Sequence, residues 1–455
     1  MKSIRIVILA AGEGKRMKSQ LAKVLHHLAG KPLLEHVIQA ACQLNSAQSP
    51  IVVVGHQSQQ IRDALAHYTI TWVEQKEQLG TGHALLQAMP EFSDNSHVLV
   101  LYGDVPLISV ETLKQLISST PQDAIGMLTA HIFHPVGYGR IKRDDQGHVI
   151  GIIEEKDTTQ QEQLITEINT GIYFLPVKYL KNWLPALKNN NTQKEYYLTD
   201  MIAHAVQENK SVYTLEPFIV EEALGINDRV QLAHLERFYQ RQQAEQWMYR
   251  GVTLCDPARV DIRGEVHIGQ DVLIDVNVIL EGRVVIGNHC MIGPNTILRN
   301  ATLGEHIEVK ANSIIDGAEI ASHCIVGPFA RVRPGTVLAT RVHIGNFVEI
   351  KNSTVDEKTK INHLSYIGDS DIGKRVNIGA GTITCNYDGV NKNKTIIGND
   401  AFIGSDTQLV APITIGEGAI LGAGSTVTKN APPHKLTLTH KLDQRSIDDK
   451  SIEDH

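Results

Sequence analysis

From about Val266 to Val427 an aliphatic residue returns at every sixth position, a period that neither a helix nor a plain antiparallel strand can produce. The series runs Ile268, Ile274, Leu280, Ile286, Ile292 and Leu298, then Leu303, Val309, Ile315, Ile320, Val326, Val332, Leu338, Ile344 and Ile350. Val355, Ile361, Ile367, Ile372 and Ile378 follow, and it resumes at Ile397, Ile403, Leu409, Ile415, Leu421 and Val427. A few units (298–302, 315–319, 350–354, 367–371) are five residues long. A fixed hexad predicts a parallel β-helix in which each unit is one short strand plus a turn, with its aliphatic pointing inward. Three hexads make one triangular coil, so residues about 18 apart stack along a face at about 4.8 Å. A β-sandwich would need strict alternation and hairpin turns, which this stretch lacks.

The chain's 455 residues leave room for two or three domains, and its 42% hydrophobic content can build a large core. A net charge of −7 and a pI near 6.3 argue against nucleic acid or a membrane surface as the main partner. Five scattered cysteines (Cys42, Cys255, Cys290, Cys324, Cys385) form no CxxC and no metal spacing, which predicts reduced thiols in the cytoplasm. The chain enters a strand at once, Ile4–Leu9, without a secretion signal, and no span approaches the roughly 20 apolar residues of a membrane helix.

Residues 1–226 alternate short apolar runs with helical patterns. Ile4–Leu9, Ile51–Gly55, Ile70–Val73 and Val98–Tyr102 read as buried strands, with helices such as Pro32–Leu44 and Gly82–Met89 between them. That alternation predicts an α/β domain with a Rossmann-like, mostly parallel sheet, whose ligands bind at the carboxyl ends of the strands. The first strand runs into Leu9-Ala10-Ala11-Gly12-Glu13-Gly14-Lys15-Arg16-Met17, where small residues let backbone N–H groups approach a phosphate or a base. Arg16 and Lys23 would offset triphosphate charge. The fourth strand ends in Tyr102-Gly103-Asp104; a carboxylate there suits Mg²⁺ held between protein and phosphates, or else caps a helix. Gln75 and Gln78-Leu79-Gly80-Thr81-Gly82-His83 follow the third strand at the same edge. From Asp228 to about Tyr249 the chain is rich in helix formers, capped by Asn227-Asp228, and residues 227–249 read as a linker helix into a β-helix domain, 250–440.

Register arguments bring chemistry together on that β-helix. Arg333 and Lys351 are each the second residue of their hexad, eighteen residues apart, so they should stack in neighbouring coils. Like charges so placed repel by roughly 1 kcal/mol even with water-like screening, which leaves either an anion such as a sugar phosphate between them or two solvated cations leaning apart. His363 is the third residue of its hexad, and the same column continues through Ala380, Ser405 and Ala423: a histidine at the end of a groove of small residues, with Asn362, Tyr366 and Asn377 nearby. The stretch Thr384–Lys394 breaks the hexads, and such excursions are where solenoids mount binding groups.

Several segments carry a resemblance. LAAGxGxRM (9–17), KVLH (23–26), QLGTGHA (78–84), YGDVPL (102–107), GYGRI (137–141), EEKD (154–157) and NTGIY (169–173) resemble the sugar-1-phosphate nucleotidyltransferase family. With the hexads behind them, residues 3 to 440 resemble the bacterial bifunctional GlmU family, which joins an N-acetylglucosamine-1-phosphate uridyltransferase to a glucosamine-1-phosphate N-acetyltransferase and supplies peptidoglycan and lipopolysaccharide precursors. The resemblance implies that Leu9, Ala10, Ala11, Gly12, Gln75, Gly80 and Thr81 hold uracil. It gives sugar and ribose to Tyr102, Gly103, Gly139, Glu154 and Asn169, and Mg²⁺ to Asp104 and Asn227. It gives glucosamine-1-phosphate to Arg333, Lys351, Tyr366 and Asn377, acetyl-CoA to Ala380, Asn386, Tyr387, Ser405 and Ala423, and catalysis to His363, in a homotrimer that uses UTP and acetyl-CoA as co-substrates. Direct acyl transfer with His363 as base is the expectation, rather than an acyl-enzyme on Cys385. The chain departs from the family's usual Thr, Pro and Ala at Lys15, Ala22 and Gly82. It carries His440 and Lys441 where a CoA-contacting Arg is usual, and 441–455 reads as a disordered tail. The competing readings are a single-activity nucleotidyltransferase with a structural or regulatory β-helix, and a scaffold with both sites dead.

Overall fold

Strand β1 (Ile4–Ala10) is apolar on both sides because the sheet it centres is covered on both faces. Ile6, Ile8 and Ala10 pack with Val37, Ile38 and Leu113 on one face, and Val7 and Leu9 with Leu85, Leu180 and Ile202 on the other. The computed structural model describes residues 3–44 and 48–439, in two units divided between Tyr239 and Gln240. His440, Lys441 and the 441–455 segment lie outside the described residues.

In the first unit, β2 (Ile51–Val54), β3 (Thr71–Glu74) and β4 (His97–Tyr102) run parallel to β1 in the order β3-β2-β1-β4. The sheet continues with β5 (Ile125–His131), β6 (Arg140–Arg143), β7 (Val149–Ile153), β8 (Glu167–Pro176) and β9 (Val212–Leu215). Strand β8 lies antiparallel between β4 and β5, β6 pairs with both β8 and β7, and β9 runs parallel to β5 at the edge. The four strands read from the sequence fall within one residue of those observed. The expected connecting helix is Arg229–Tyr249, and Asp228 is its cap: the Asp228 carboxylate accepts the N–H groups of Val230 and Gln231, both at 2.9 Å. Among the described residues no helix is long and apolar enough to cross a membrane.

The second unit is a left-handed parallel β-helix. An eleven-stranded ladder from Thr253–Leu254 to Leu436–Thr437 forms one side. A seventeen-stranded sheet from Val260–Ile268 to Thr426–Val427 forms the other two; after the two long opening strands, which pair with each other, each strand pairs with the second strand after it. The hexad aliphatics are buried as expected, except Ile268, which is only partly covered near the start of the helix. Two boundaries differ from the expectation. The coils begin about two units earlier, because Leu254, Val260 and Ile262 already point into the core. The hexads also run on through Ile383–Cys385, where Thr384 takes the inward position in register between Ile367 and Leu409. A threonine there is invisible to an aliphatic pattern; its hydroxyl is satisfied inside the core by the Gly368 N–H at 2.7 Å.

Cutting Ile315, fully buried in this stack, to Ala should cost the β-helix about 2–5 kcal/mol. Calorimetry would then show its unfolding transition at lower temperature with that of the first unit unmoved; an unchanged profile would mean the stacked aliphatics do not hold the coils.

Two candidate active sites

The carboxyl ends of β1, β3 and β4 open onto a cleft of about 480 Å³. Leu9, Ala10, Ala11, Gly12, Lys23, Gln75, Gly80, Thr81, Tyr102, Asp104 and Asn227 all line it. Arg16 and Glu154 line an adjoining cleft that shares Lys23 and Asn227. Gly103, Gly139 and Asn169 stand behind these walls: the Gly103 N–H donates to Leu9 O, and the Asn169 N–H to Gly139 O, both at 2.9 Å.

Charge is concentrated at one point. Lys23 Nζ ion-pairs with Asp104 and donates to Asn227 Oδ1 at 3.2 Å, and Arg16 donates to the same oxygen at 2.8 Å. Gly14, in a left-handed conformation (φ 66°), lets the loop pass so close to Lys23 that a Cβ there would sit 2.6 Å from Lys23 Cβ. Two hard oxygens, one carboxylate and one amide, therefore converge on a single positive centre. That donor set fits Mg²⁺, with phosphate oxygens and water completing its shell.

The rest of the cleft is held by buried polar groups. Gln75, 3% exposed, donates to Gly80 O at 3.0 Å, and the Thr81 hydroxyl accepts the Leu198 N–H at 3.0 Å. The Tyr102 ring lies against Gly171, where a Cβ would come within 2.7 Å of it, and burial pushes its phenol well above the ordinary range. Burial also raises the Glu154 carboxyl, against the Thr199 hydroxyl that donates to it at 2.9 Å. Asn169 Oδ1 accepts from the Tyr173 hydroxyl at 2.9 Å and the Gly171 N–H at 3.1 Å, which fixes its amide. At the departures from the family pattern, Lys15 pairs with Glu13, and a Cβ on Gly82 would collide with Leu187 Cδ1. Glycine at 82 thus leaves room for Leu187.

On the β-helix the expected columns are in register. Asn346 pairs with His363, and the alignment of Ile361, Ile378, Ile403 and Leu421 carries that column through Ala380, Ser405 and Ala423. His363 Nδ1 lies 2.9 Å from Asn346 Oδ1. Since that oxygen can only accept, the ring proton sits on Nδ1 and Nε2 is left with its lone pair. Asn346 escaped the sequence reading, although stepping one coil back along the histidine column would have reached it. The same corner carries Phe329, Phe347 and Leu364, exposed and left-handed (φ 56°, 55° and 50°), a strained apolar border beside the histidine. Next to Ala380 in that column, the Gly381 N–H donates to His363 O at 3.3 Å.

Arg333 and Lys351 stack as expected, but the anion beside Arg333 is part of the protein: Glu349 pairs with it at 2.7 Å. Glu349 sits on the neighbouring strand, and hexad spacing alone did not single it out. Lys392, from the loop, lies against Lys351, and that contact lowers its pKa. Three cations thus gather near two carboxylates, Glu349 on Arg333 and Asp369 beside Lys351 and Lys392. Opposite Lys351 in the next coil stands Gly368, and a Cβ there would meet the Tyr366 hydroxyl at 2.6 Å and Asn386 Nδ2 at 2.7 Å. Asn386 in turn donates to Asp369 at 2.5 Å. Burial works against the Asp369 charge, but the amides of Asn352 and Asn386, with Lys351 and Lys392 beyond them, hold its carboxyl below the ordinary value. In the loop itself, N–H groups of Asn391 and Val390 bring Asp388 down to about 2, and Tyr387 is exposed with its hydroxyl on Gly389 O at 2.6 Å.

The residues expected to share a ligand are divided between corners. His363, Ala380, Ser405 and Ala423 follow strands of the eleven-stranded side, while Asn386, Tyr387 and Lys392 sit where the other two sides meet. Arg333, Lys351 and Tyr366 lie on the side between, and Asn377 belongs to the eleven-stranded side.

Residues 6–160 match the MobA-like NTP transferase domain, 262–347 the GMPPB C-terminal domain, and 394–429 the bacterial transferase hexapeptide (six repeats). Over 447 residues, 98% of each chain, the sequence is 52% identical to a Marinobacter nauticus protein named "Bifunctional protein GlmU". A protein of that name from Aromatoleum aromaticum is 52% identical over 96% of each chain. Another, from Methylococcus capsulatus, is 54% identical over 95% of this chain and 94% of its own.

Replacing Asn346 with Ala removes the acceptor that sets the imidazole tautomer. The kcat for acetyl transfer should fall about 10- to 100-fold with KM little changed, less than the roughly 10²–10⁴-fold loss of a general base. Steady-state kinetics at wild-type kcat would dismiss this role for Asn346.

Proposed function

This chain belongs to the bifunctional GlmU family, and from that premise we propose how its two sites divide the work. The protein is a bifunctional transferase that makes UDP-N-acetylglucosamine, a precursor for cell-wall synthesis. Acetyl-CoA first acetylates glucosamine-1-phosphate; UTP then uridylylates N-acetylglucosamine-1-phosphate, and pyrophosphate leaves.

In the first unit, Leu9, Ala10, Ala11, Gly12, Gln75, Gly80 and Thr81 take the uracil end of UTP. Tyr102, Gly103, Gly139, Glu154 and Asn169 take the sugar and ribose. Asp104 and Asn227 would hold Mg²⁺, which when bound neutralises phosphate charge. Arg16 and Lys23 add positive charge at the same point. A phosphate oxygen of the sugar attacks the α-phosphorus of UTP, and the bond to pyrophosphate breaks opposite it. Such a transfer needs alignment and charge neutralisation rather than a protein nucleophile.

In the second unit, Arg333 and Lys351, with Lys392, take the phosphate of glucosamine-1-phosphate, and Tyr366 and Asn377 contribute to its sugar. Acetyl-CoA runs along Ala380, Ser405 and Ala423, and Asn386 and Tyr387 meet it from the loop. The amine nitrogen attacks the thioester carbonyl as His363 Nε2 takes its proton; the carbon–sulfur bond breaks, and the imidazolium returns the proton to the departing thiolate. Cys385, whose thiol is pushed up by burial, is a poor nucleophile for a rival acyl-enzyme route. The separation of the histidine groove and the loop onto different corners supports a site completed by another copy of the chain, as in a homotrimer.

The observation that carries the two-site reading is that the Lys23–Asp104–Asn227 cluster and the His363 column belong to different units. A split assay tests it. One arm follows CoA thiol release from acetyl-CoA and glucosamine-1-phosphate; the other follows pyrophosphate release from UTP and N-acetylglucosamine-1-phosphate with Mg²⁺. His363→Ala should abolish only the first and Asp104→Asn only the second. Wild-type protein without thiol release would return the β-helix to a structural or regulatory part.

A further inference from the structure

Arg140 is among the most deeply buried side chains of the first unit, 2% exposed, yet neither reaction gives it a ligand to bind. It ion-pairs with Glu155 at 2.6 Å and donates to Tyr138 O, and its Nε is buried with no hydrogen-bond partner among the described residues. A guanidinium placed this way is expensive to desolvate, and a well-packed apolar side chain would serve stability as well or better. Its position explains what it does.

Arg140 opens β6 and stands in register with Ile153 on β7 and Ile168 on β8. Both pairings are antiparallel, so the next row across the three strands is Glu154, Gly139 and Asn169. The bond from the Asn169 N–H to Gly139 O at 2.9 Å belongs to that row. These are three of the five residues given to the sugar and ribose. Arg140 grips one end of the row and its middle: Glu155 is the residue after Glu154, and Tyr138 is the residue before Gly139. Tyr138 extends the hold, since its hydroxyl accepts the Gly225 N–H at 3.2 Å, two residues before Asn227.

We propose that the pair of buried Arg140 and half-buried Glu155 is a positioning clasp for the acceptor subsite, setting the row Glu154–Gly139–Asn169 to receive the sugar of N-acetylglucosamine-1-phosphate. This rests on the assignment of that row to the sugar. Arg140 lines neither cleft, whereas Glu155 stands in the wall of the adjoining one beside Glu154. Glu155 holds the short turn that begins at Glu154, and Arg140 holds the peptide on which Gly139 sits. The uracil end of the cleft is built on β1, β3 and the segment after it, and has no bond to the pair. Loosening the clasp therefore separates the two substrates of one reaction.

The test is the uridyltransferase KM for each substrate, with CoA thiol release and thermal unfolding measured alongside. Glu155→Gln keeps the shape and removes the charge. It should raise KM for N-acetylglucosamine-1-phosphate about tenfold, leave KM for UTP within about twofold and leave thiol release unchanged. Arg140→Met keeps much of the length but removes the nitrogen that makes both contacts, and should give the same split. A fall in melting temperature with both KM values unmoved, or with both raised together, overturns the clasp as a structural ion pair only. Glu154→Gln separates the two ideas. If it leaves KM for the sugar phosphate unchanged, the subsite assignment itself is wrong; if it raises that KM and Glu155→Gln does not, the subsite stands and the clasp is overturned.

Discussion

Hydrogen bonds between successive coils hold the β-helix in register, and the groove proposed for acetyl transfer exists only while that register holds. The Asp406 N–H reaches Ala380 O at 2.7 Å, and the Gly424 N–H reaches Ser405 O at 2.8 Å. Each such bond is worth only about 0.5–1.5 kcal/mol net, and burial of the inward aliphatics contributes more of the stability. Together they make slippage costly, because a shift by one residue would turn every buried aliphatic out to water. The His363 column is thus specified by residues buried inside the coils. Insertions are tolerated where they leave the stack, as the 386–394 loop does between two paired strands.

The first unit solves a different problem. Its sheet is buried on both faces, so polar groups can gather only at the strand ends. There Lys23, Arg16, Asp104 and Asn227 satisfy one another. Phosphates and a metal ion can replace those mutual contacts without creating an unpaired charge. The β-helix uses the same device on its surface: Glu349 occupies Arg333, and Asp369 balances Lys351 and Lys392. In both units the binding groups are ordered by internal partners before substrate arrives, which lowers the entropic cost of binding.

Much of this was legible because the residues concerned obey a period. The hexads located the core of the coils, and counting along them placed His363, Ala380, Ser405 and Ala423 in one column. Apolar runs located the strands, and the small-residue turn after β1 located the cleft. What escaped lies across the chain rather than along it. Asn346 and Glu349 matter through the coil next door, Lys392 through the fold of an irregular loop, and Arg140 through a register among three strands that no local pattern announces. Thr384 was hidden because a satisfied hydroxyl can stand where the pattern calls for a methyl.

On this account one register aligns four residues from successive coils into a single acetyl-CoA groove. The most direct measurement of that alignment is the KM for acetyl-CoA of Ala423→Trp, three coils along the column from His363. A side chain of that size in the groove should raise KM about tenfold or more through lost contacts and overpacking, with KM for glucosamine-1-phosphate and the whole uridylyl reaction unchanged. A variant that folds and keeps the wild-type KM for acetyl-CoA would contradict the alignment, and the thioester would have to reach His363 by another path.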